Sequence, residues 1–269
     1  QPLPRRPRPL TARLTPHGLT AQTTKPSSRN PADSLRPVAS AVLFDLDGTL
    51  VDHEAACRAA VLAWTKARSA RAAHPDADMT AEWLRLEEVH FAGYLARDIT
   101  FEEQRRRRLR DYLGFLGEAP QSDEALDTLF EDYLRHYERS WTAYDDAGPA
   151  LAELKKRGLT LGVLTNGQEA QQRAKLDAVG LLDIFDHVIA SSTLSASKPA
   201  LAAFHEACQR VGHGPQDVLY VGDNLRTDAI AATTAGLAGI WLNRLQRPAA
   251  ESARSIGSLA EVIQMVDPL

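Results

Sequence analysis

Cysteine is almost absent from this chain of 269 residues: Cys57 and Cys208 are the only two, far apart and in no Cys-x-x-Cys pair. That argues against a disulfide scaffold or a thiolate zinc site and fits a reducing compartment, with each thiol a small buried apolar group. None of the eight histidines stands in a His-x-His or His-Glu-x-x-His spacing, so a histidine-based metal site finds little support. No apolar run approaches the roughly 18 residues of a membrane helix. Basic charge is scarce beyond the start: residues 1–39 carry seven Lys/Arg against one Asp, whereas the remainder has a net charge of −10. An acidic body argues against a nucleic-acid-binding domain, because phosphate backbones attract basic surfaces. What remains is an ordinary globular composition, 44% apolar and 25% charged, long enough for one large domain or two smaller ones.

Residues 1–39 are proline-rich with scattered arginines and show neither helical nor strand period, which predicts a disordered basic extension. The chain opens on Gln1, not Met, which implies processing, truncation or an incomplete reading frame. The extension reads as a solvated tail, with contact to RNA or anionic lipid as the alternative. An apolar stretch, Ala41 to Phe44, then predicts a buried strand, followed by Asp45-Leu46-Asp47-Gly48-Thr49. From His53 to Tyr144 the pattern is helical: residues 55–73, 80–96, about 100–113 with Thr100 as N-cap and Glu103 three residues on, and 122–141. A Gly-Pro turn at 145–151 marks a boundary. Beyond it strands at 159–164, 187–190, 217–221 and 238–242 alternate with helices at 168–179, 199–211 and 227–235. Such alternation predicts an α/β fold, a parallel sheet with helices on both faces. The domains expected are therefore the extension 1–39, an α/β core of 40–52 and 145–269, and an inserted all-helical module at 53–144.

Ligands of open α/β sheets bind beyond the carboxyl ends of the strands. There the chain delivers Asp45 and Asp47, then Thr165-Asn166-Gly167, then Lys198-Pro199, then Gly222-Asp223-Asn224 with Asp228. Two carboxylates two residues apart at a strand exit are costly to desolvate unless a cation or an unequal protonation state resolves the conflict. The bland alternative is an acidic turn, since Asp and Gly are common turn residues. Four acids, a lysine, a Thr/Asn pair and loop N–H groups suit phosphoryl transfer: donors for a phosphate dianion, carboxylates for nucleophile and general acid. Acids without histidine favour Mg²⁺ over zinc.

Together, Asp45-Leu46-Asp47-Gly48-Thr49-Leu50, Thr165-Asn166-Gly167, Lys198-Pro199 and Gly222-Asp223-Asn224 with Asp228 resemble the four motifs of the haloacid dehalogenase superfamily, over roughly residues 40–245. The insertion after the first motif is similar to the helical cap of its subfamily IA. The resemblance implies a Rossmann-like core and a Mg²⁺ cofactor. It also implies Asp45 as nucleophile through an aspartyl-phosphate and Asp47 as general acid and then base. Thr165, Asn166 and Lys198 would bind phosphate; Asp45, the Asp47 carbonyl, Asp223 and Asp228 would bind metal. Dehalogenase and phosphonate-cleaving members lack an acid at the position of Asp47, so Asp47 favours an oxygen leaving group. The implied activity is a phosphatase of small-molecule phosphate monoesters: nucleotide, sugar or sugar-acid phosphates. A phosphomutase resembling β-phosphoglucomutase and a non-catalytic binding module on the same fold stay open. Substrate choice would lie in the cap, where Arg105 to Arg108 stand in a row. A row of four on a helix points nearly all round, so the cluster is either a solvated face or a source of one or two substrate contacts, with Arg107 and Arg108 as candidates. Trp64, Trp83 and Trp141 read as cap core, not as a base-stacking platform. No nucleic-acid or membrane partner and a cytoplasmic location are expected.

Overall fold

The computed structural model describes residues 39–68, 74–248 and 253–266. The predicted extension lies, but for Ala39, outside the described residues, as does the end of the helix expected to reach residue 73. Six parallel strands form one sheet: β1 (Ala41–Phe44), β2 (Thr160–Thr165), β3 (His187–Ala190), β4 (Val218–Gly222), β5 (Ala238–Leu242) and β6 (Arg254–Ile256), in the order β3-β2-β1-β4-β5-β6. The α/β reading is correct. Edge strand β6 was not anticipated, because Ile256 is its single buried side chain and three residues make no apolar run.

Alternate residues of β1 explain its continuous hydrophobicity, since both faces of the strand are covered. Val42 and Phe44 join an apolar layer with Leu151, Leu154 and Leu176, whereas Ala41 and Leu43 join another with Phe204, Ala207 and Tyr220. Each such large side chain, fully buried, contributes about 1.5–3 kcal/mol.

Four helices follow β1 before the chain returns to the sheet: α1 (His53–Arg68), α2 (Asp76–Leu95), α3 (Phe101–Phe115) and α4 (Asp123–Arg139). Thr100 caps α3 by accepting from the Glu103 N–H at 3.1 Å, and Ser122 caps α4 by accepting from that of Ala125 at 3.3 Å. These helices share a core of their own around Trp64, Trp83, Tyr112 and Tyr133. Trp64 and Trp83 are fully buried there, and the Trp83 indole N–H donates to Tyr133 at 3.0 Å. The layer rests on the sheet domain through polar contacts, Arg97 to the Leu194 carbonyl at 3.0 Å and Arg105 to Gln171 at 3.1 Å.

Two local expectations are corrected. The Gly148-Pro149 pair does not make a turn; it lies in the first turn of α5 (Ala147–Lys156). A helix's first turn has no intrahelical use for a backbone N–H, so proline costs little there. Pro199 does not open a helix either: α7 (Leu201–Val211) starts two residues later, with α6 (Glu169–Ala178) between β2 and β3. After β4, a π-helical segment, Leu225–Ile230, continues into α8 (Ala231–Thr234). No described helix is long and apolar enough to cross a membrane.

Candidate active site

In the strand order the chain proceeds from β1 to one side and then to the other, so the crevice between the carboxyl ends of β1 and β4 is the topological switch point. Asp45 follows β1 and Asp223 follows β4, with Phe44 paired to Val221 in register. Both acids line a cavity of about 950 Å³ between the sheet and the helical layer. Gly48, at φ +86°, lets the loop after β1 pass beside Asp223: a Cβ there would sit 2.4 Å from the Asp223 carboxylate.

Lys198 is the electrostatic centre. Its buried ammonium donates to Asp45 Oδ1 at 2.6 Å, Asp228 Oδ1 at 2.7 Å and the Tyr220 hydroxyl at 2.7 Å. Tyr220 also contacts Asp228 Oδ1 at 3.0 Å and the Leu164 carbonyl at 3.1 Å. Asp228 Oδ2 accepts from the Asn224 N–H at 3.0 Å, and Asn224 Oδ1 caps the π-helical turn through the N–H groups of Arg226 and Thr227. Asp45 Oδ2 has a long contact, 3.5 Å, with the Thr49 hydroxyl. Burial, opposed by Lys198 and reinforced by Asp228 and Asp223, pushes the Asp45 carboxyl up to about 8. One ammonium facing three carboxylates leaves the pocket short of positive charge. Oxygens of Asp45, Asp223 and Asp228 all lie within 4.8 Å of one another, an all-oxygen donor set that suits a hard divalent cation.

Asp47 stands across the crevice in a different environment. The Lys175 ammonium of α6 reaches its Oδ1 at 2.5 Å, and the Gln172 amide reaches Oδ2 at 3.3 Å. Enclosure would raise this carboxyl, but Lys175, His53 and the amide outweigh it and hold Asp47 below the usual range. Thus one carboxyl of the pair is pushed up and the other down, and a divalent cation among Asp45, Asp223 and Asp228 would favour the ionised form of Asp45.

The sequence profile described as haloacid dehalogenase-like hydrolase matches residues 39–236. The chain belongs to this family. It is 35% identical to the phosphoserine phosphatase of Thermus thermophilus over 161 residues, which are 59% of this chain and 63% of that protein, so the match spans a little under two thirds of the relative. It is 28% identical to the N-acylneuraminate-9-phosphatase of Rattus norvegicus over 210 residues, 76% of this chain and 82% of the other. Haloacid dehalogenases also occur among its relatives. The fold is that of the HAD-hydrolase YfnB from Bacillus subtilis, with a TM-score of 0.72 at 23% identity, covering 85% of this chain and 99% of that one.

Within this hydrolase, Thr165 closes β2 at the cavity wall, and its hydroxyl accepts from the Gln172 amide at 3.3 Å. The Asn166 side chain lines the cavity and grips the Lys198 backbone: its Nδ2 donates to the Lys198 carbonyl and its Oδ1 accepts from the Lys198 N–H, each at 3.0 Å. Asn166 is a bracket that sets the loop carrying Lys198. Of the two arginine candidates, Arg107 is corrected; it pairs with Glu103 at 2.6 Å on the outer face of α3 and does not line the cavity. Arg105 and Arg108, three residues apart on one helical face, do line it. Arg108 is buried, stacks on Trp83 at 4.0 Å and pairs with Glu87 at 2.8 Å, while its Nε and Nη2 lack partners among the described residues.

The haloacid dehalogenase motifs did not reveal Lys175, Gln172, His53, Glu87 or Tyr220. His53 shares a 2.6 Å hydrogen bond with Tyr137 and lies 3.3 Å from Glu87 and 3.9 Å from Asp47. A visible signal existed for Lys175 alone: it sits three residues after Gln172 on α6, the spacing that brings both to one face.

Proposed function

We propose that this hydrolase is a Mg²⁺-dependent phosphatase of small-molecule phosphate monoesters, working through an aspartyl-phosphate on Asp45, with residues 53–144 as its cap. The observation that carries the reading is the Asp45–Lys198–Asp228 cluster facing the separately held Asp47 at the switch point of the sheet. Asp45, Asp223, Asp228 and the Asp47 carbonyl would hold Mg²⁺, which when bound offsets the charge of the acids and of a phosphate dianion. Lys198 holds Asp45 Oδ1, which leaves Oδ2 for attack on phosphorus. As that P–O bond forms, the bond to the leaving oxygen breaks and Asp47 supplies its proton. Asp47 rests as a carboxylate beside Lys175, and the approach of a phosphate dianion raises its pKa so that it can take up that proton first. In the second half a water attacks phosphorus, Asp47 accepts the water's proton, and Asp45 and inorganic phosphate separate. Thr165 and Lys198 steady the phosphoryl oxygens. An acid at Asp47 has no task with a halide leaving group, which favours phosphate esters over haloacids.

The test is phosphate release from a panel of nucleotides, sugar phosphates and sugar-acid phosphates, with Mg²⁺ and with chelator. Release that survives chelation, or no release from any compound, would defeat the reading; interconversion of a sugar phosphate in its place would mark a phosphomutase.

Two substitutions probe individual residues. Replacing Lys175 by Met removes the cation that holds Asp47 down, so the Asp47 pKa rises. The alkaline limb of the pH–rate profile, which reports Asp47 as proton donor, is then expected to move to higher pH, and an unmoved limb would detach Lys175 from Asp47 chemistry. Arg108→Ala is expected to raise KM about tenfold or more for substrates with an anionic leaving group, by loss of a charge-assisted contact of roughly 1.5–3 kcal/mol. Arg107→Ala is expected to change nothing, given its outer position. Equal kinetics for both variants across the panel would remove Arg108 from substrate recognition.

A further inference from the structure

We infer that His53, Cys57 and Glu87 form a second metal site in the helical layer, for a borderline-soft divalent ion of the zinc class. The inference is independent of the phosphatase reading. His53 and Cys57 are four residues apart on α1 and so share a face, and Glu87 meets them from α2. His53 Nε2 is 3.3 Å from Glu87 Oε2, and Cys57 Sγ is 3.6 Å from each of these atoms. A tetrahedral zinc ion with bonds of about 2.0–2.1 Å to N and O and about 2.3 Å to S separates N from O by about 3.3–3.4 Å and S from either by about 3.5–3.6 Å. The three donor atoms thus already stand at the edges of one face of such a tetrahedron.

Their remaining bonds are spent on orienting them. His53 Nδ1 shares its 2.6 Å bond with the Tyr137 hydroxyl, which leaves the Nε2 lone pair for an ion. Glu87 Oε1 accepts from Arg108 at 2.8 Å, which leaves Oε2. The Tyr133 hydroxyl, itself held by the Trp83 indole at 3.0 Å, donates to the Cys57 sulfur at 3.7 Å. Outer partners of this kind fix metal ligands and raise affinity. All three ligand residues line the cavity. The fourth position of the ion would therefore be open to a water or a ligand atom from this cavity. Three protein ligands and one open position are the form of a reactive zinc site, not a purely structural one. The sequence patterns for metal sites failed to show it because its helical spacing is His-x₃-Cys and its third ligand comes from another helix.

Cobalt decides the matter, because only a thiolate ligand gives a near-ultraviolet sulfur-to-cobalt charge-transfer band, and the Asp45 site contains only oxygens. Metal-stripped protein in excess Mg²⁺ is titrated with Co²⁺. The expected result is such a band, saturating at one ion per chain and displaced by Zn²⁺. Cys57→Ser, nearly isosteric, is expected to lose the band and to lower Zn²⁺ affinity at least about a hundredfold. Glu87→Gln is expected to weaken Zn²⁺ in the same direction. Cys208→Ala and Asp223→Asn are expected to keep the band, since neither residue belongs to the cluster. Absence of the band in folded wild-type protein, its survival in Cys57→Ser, or its loss in Cys208→Ala or Asp223→Asn would overturn the assignment. Phosphate release with Mg²⁺, measured on the same samples, succeeds or fails separately and so keeps the two readings distinct.

Discussion

Asp45→Asn is expected to lower phosphate release at least about a thousandfold while the protein stays folded, because the covalent route through an aspartyl-phosphate is lost. The substitution keeps the shape of the side chain, and an amide can still accept from Lys198 at the 2.6 Å now occupied by Asp45 Oδ1. It also removes a buried carboxyl that is pushed up to about 8 by burial and by the neighbouring acids, so no loss of stability is expected from charge. The measurement is kcat with Mg²⁺ for the best substrate of the panel, beside far-UV circular dichroism and a thermal melt. Turnover within tenfold of wild type would show that Asp45 is not the nucleophile. A folded variant without activity would separate chemistry from architecture.

Lys198→Met is expected to affect both. The lysine is 3% exposed and is the shared cation of Asp45 and Asp228. Burial would lower its pKa, but Asp228 and Asp45 outweigh it and hold the ammonium charged well above its ordinary value. Removing one partner of a buried ion pair costs about 3–5 kcal/mol, since charge is left uncompensated. The acids can escape by taking up protons, which gives the loss a sign in pH. Asp45 already titrates from 3.8 in the open chain up to about 8 in the fold, a raised value, so its ionisation opposes folding as pH rises through that window. Without Lys198 the folded value is higher still. The stability deficit of the variant is therefore expected to be small near pH 4 and largest above pH 8, as read from urea melts at both ends. An equal deficit at both ends would mean that Lys198 contributes packing alone. Loss of a preorganised donor to the phosphoryl group is expected to lower kcat about a hundredfold or more as well.

The arrangement explains why the two carboxyls of Asp45-Leu46-Asp47 can differ in role although one residue separates them. Period-two alternation alone would put them on one face, so their divergence comes from the loop into which the chain passes after β1 ends at Phe44, with Gly48 at φ +86°. Asp45 faces the buried Lys198 and two further acids, whereas Asp47 faces Lys175 and Gln172 from α6. Its guanidinium spanning two carboxylate oxygens of Asp146 at 2.9 Å each, Arg244 braces the first-motif loop from below through the Thr49 carbonyl at 3.0 Å. A loop fixed in this way holds its acids without reorganisation at the moment of reaction.

Much of this was determined by local order along the chain. Buried parallel strands need both faces apolar, so Ala41–Phe44 and its counterparts were legible as strands, and the alternation with helices settled the α/β class. The residues just after those strands had to meet at one edge of the sheet, which brought Asp45, Thr165, Lys198 and Asp223 together in expectation before any coordinate. Tertiary structure alone decided what depends on rotation about a helix axis and on which helix packs opposite. Of four consecutive arginines, Arg105 and Arg108 face the cavity because 100° per residue and the packing of α3 on α2 and α4 turn Arg106 and Arg107 outward. Lys175 reaches Asp47 across 128 positions, and Glu87 reaches His53 across 34. Beyond the Gln172–Lys175 spacing on α6, such pairs leave no periodic trace, because a single long side chain satisfies the contact and its partner lies on an element whose docking is set by the apolar cores beneath.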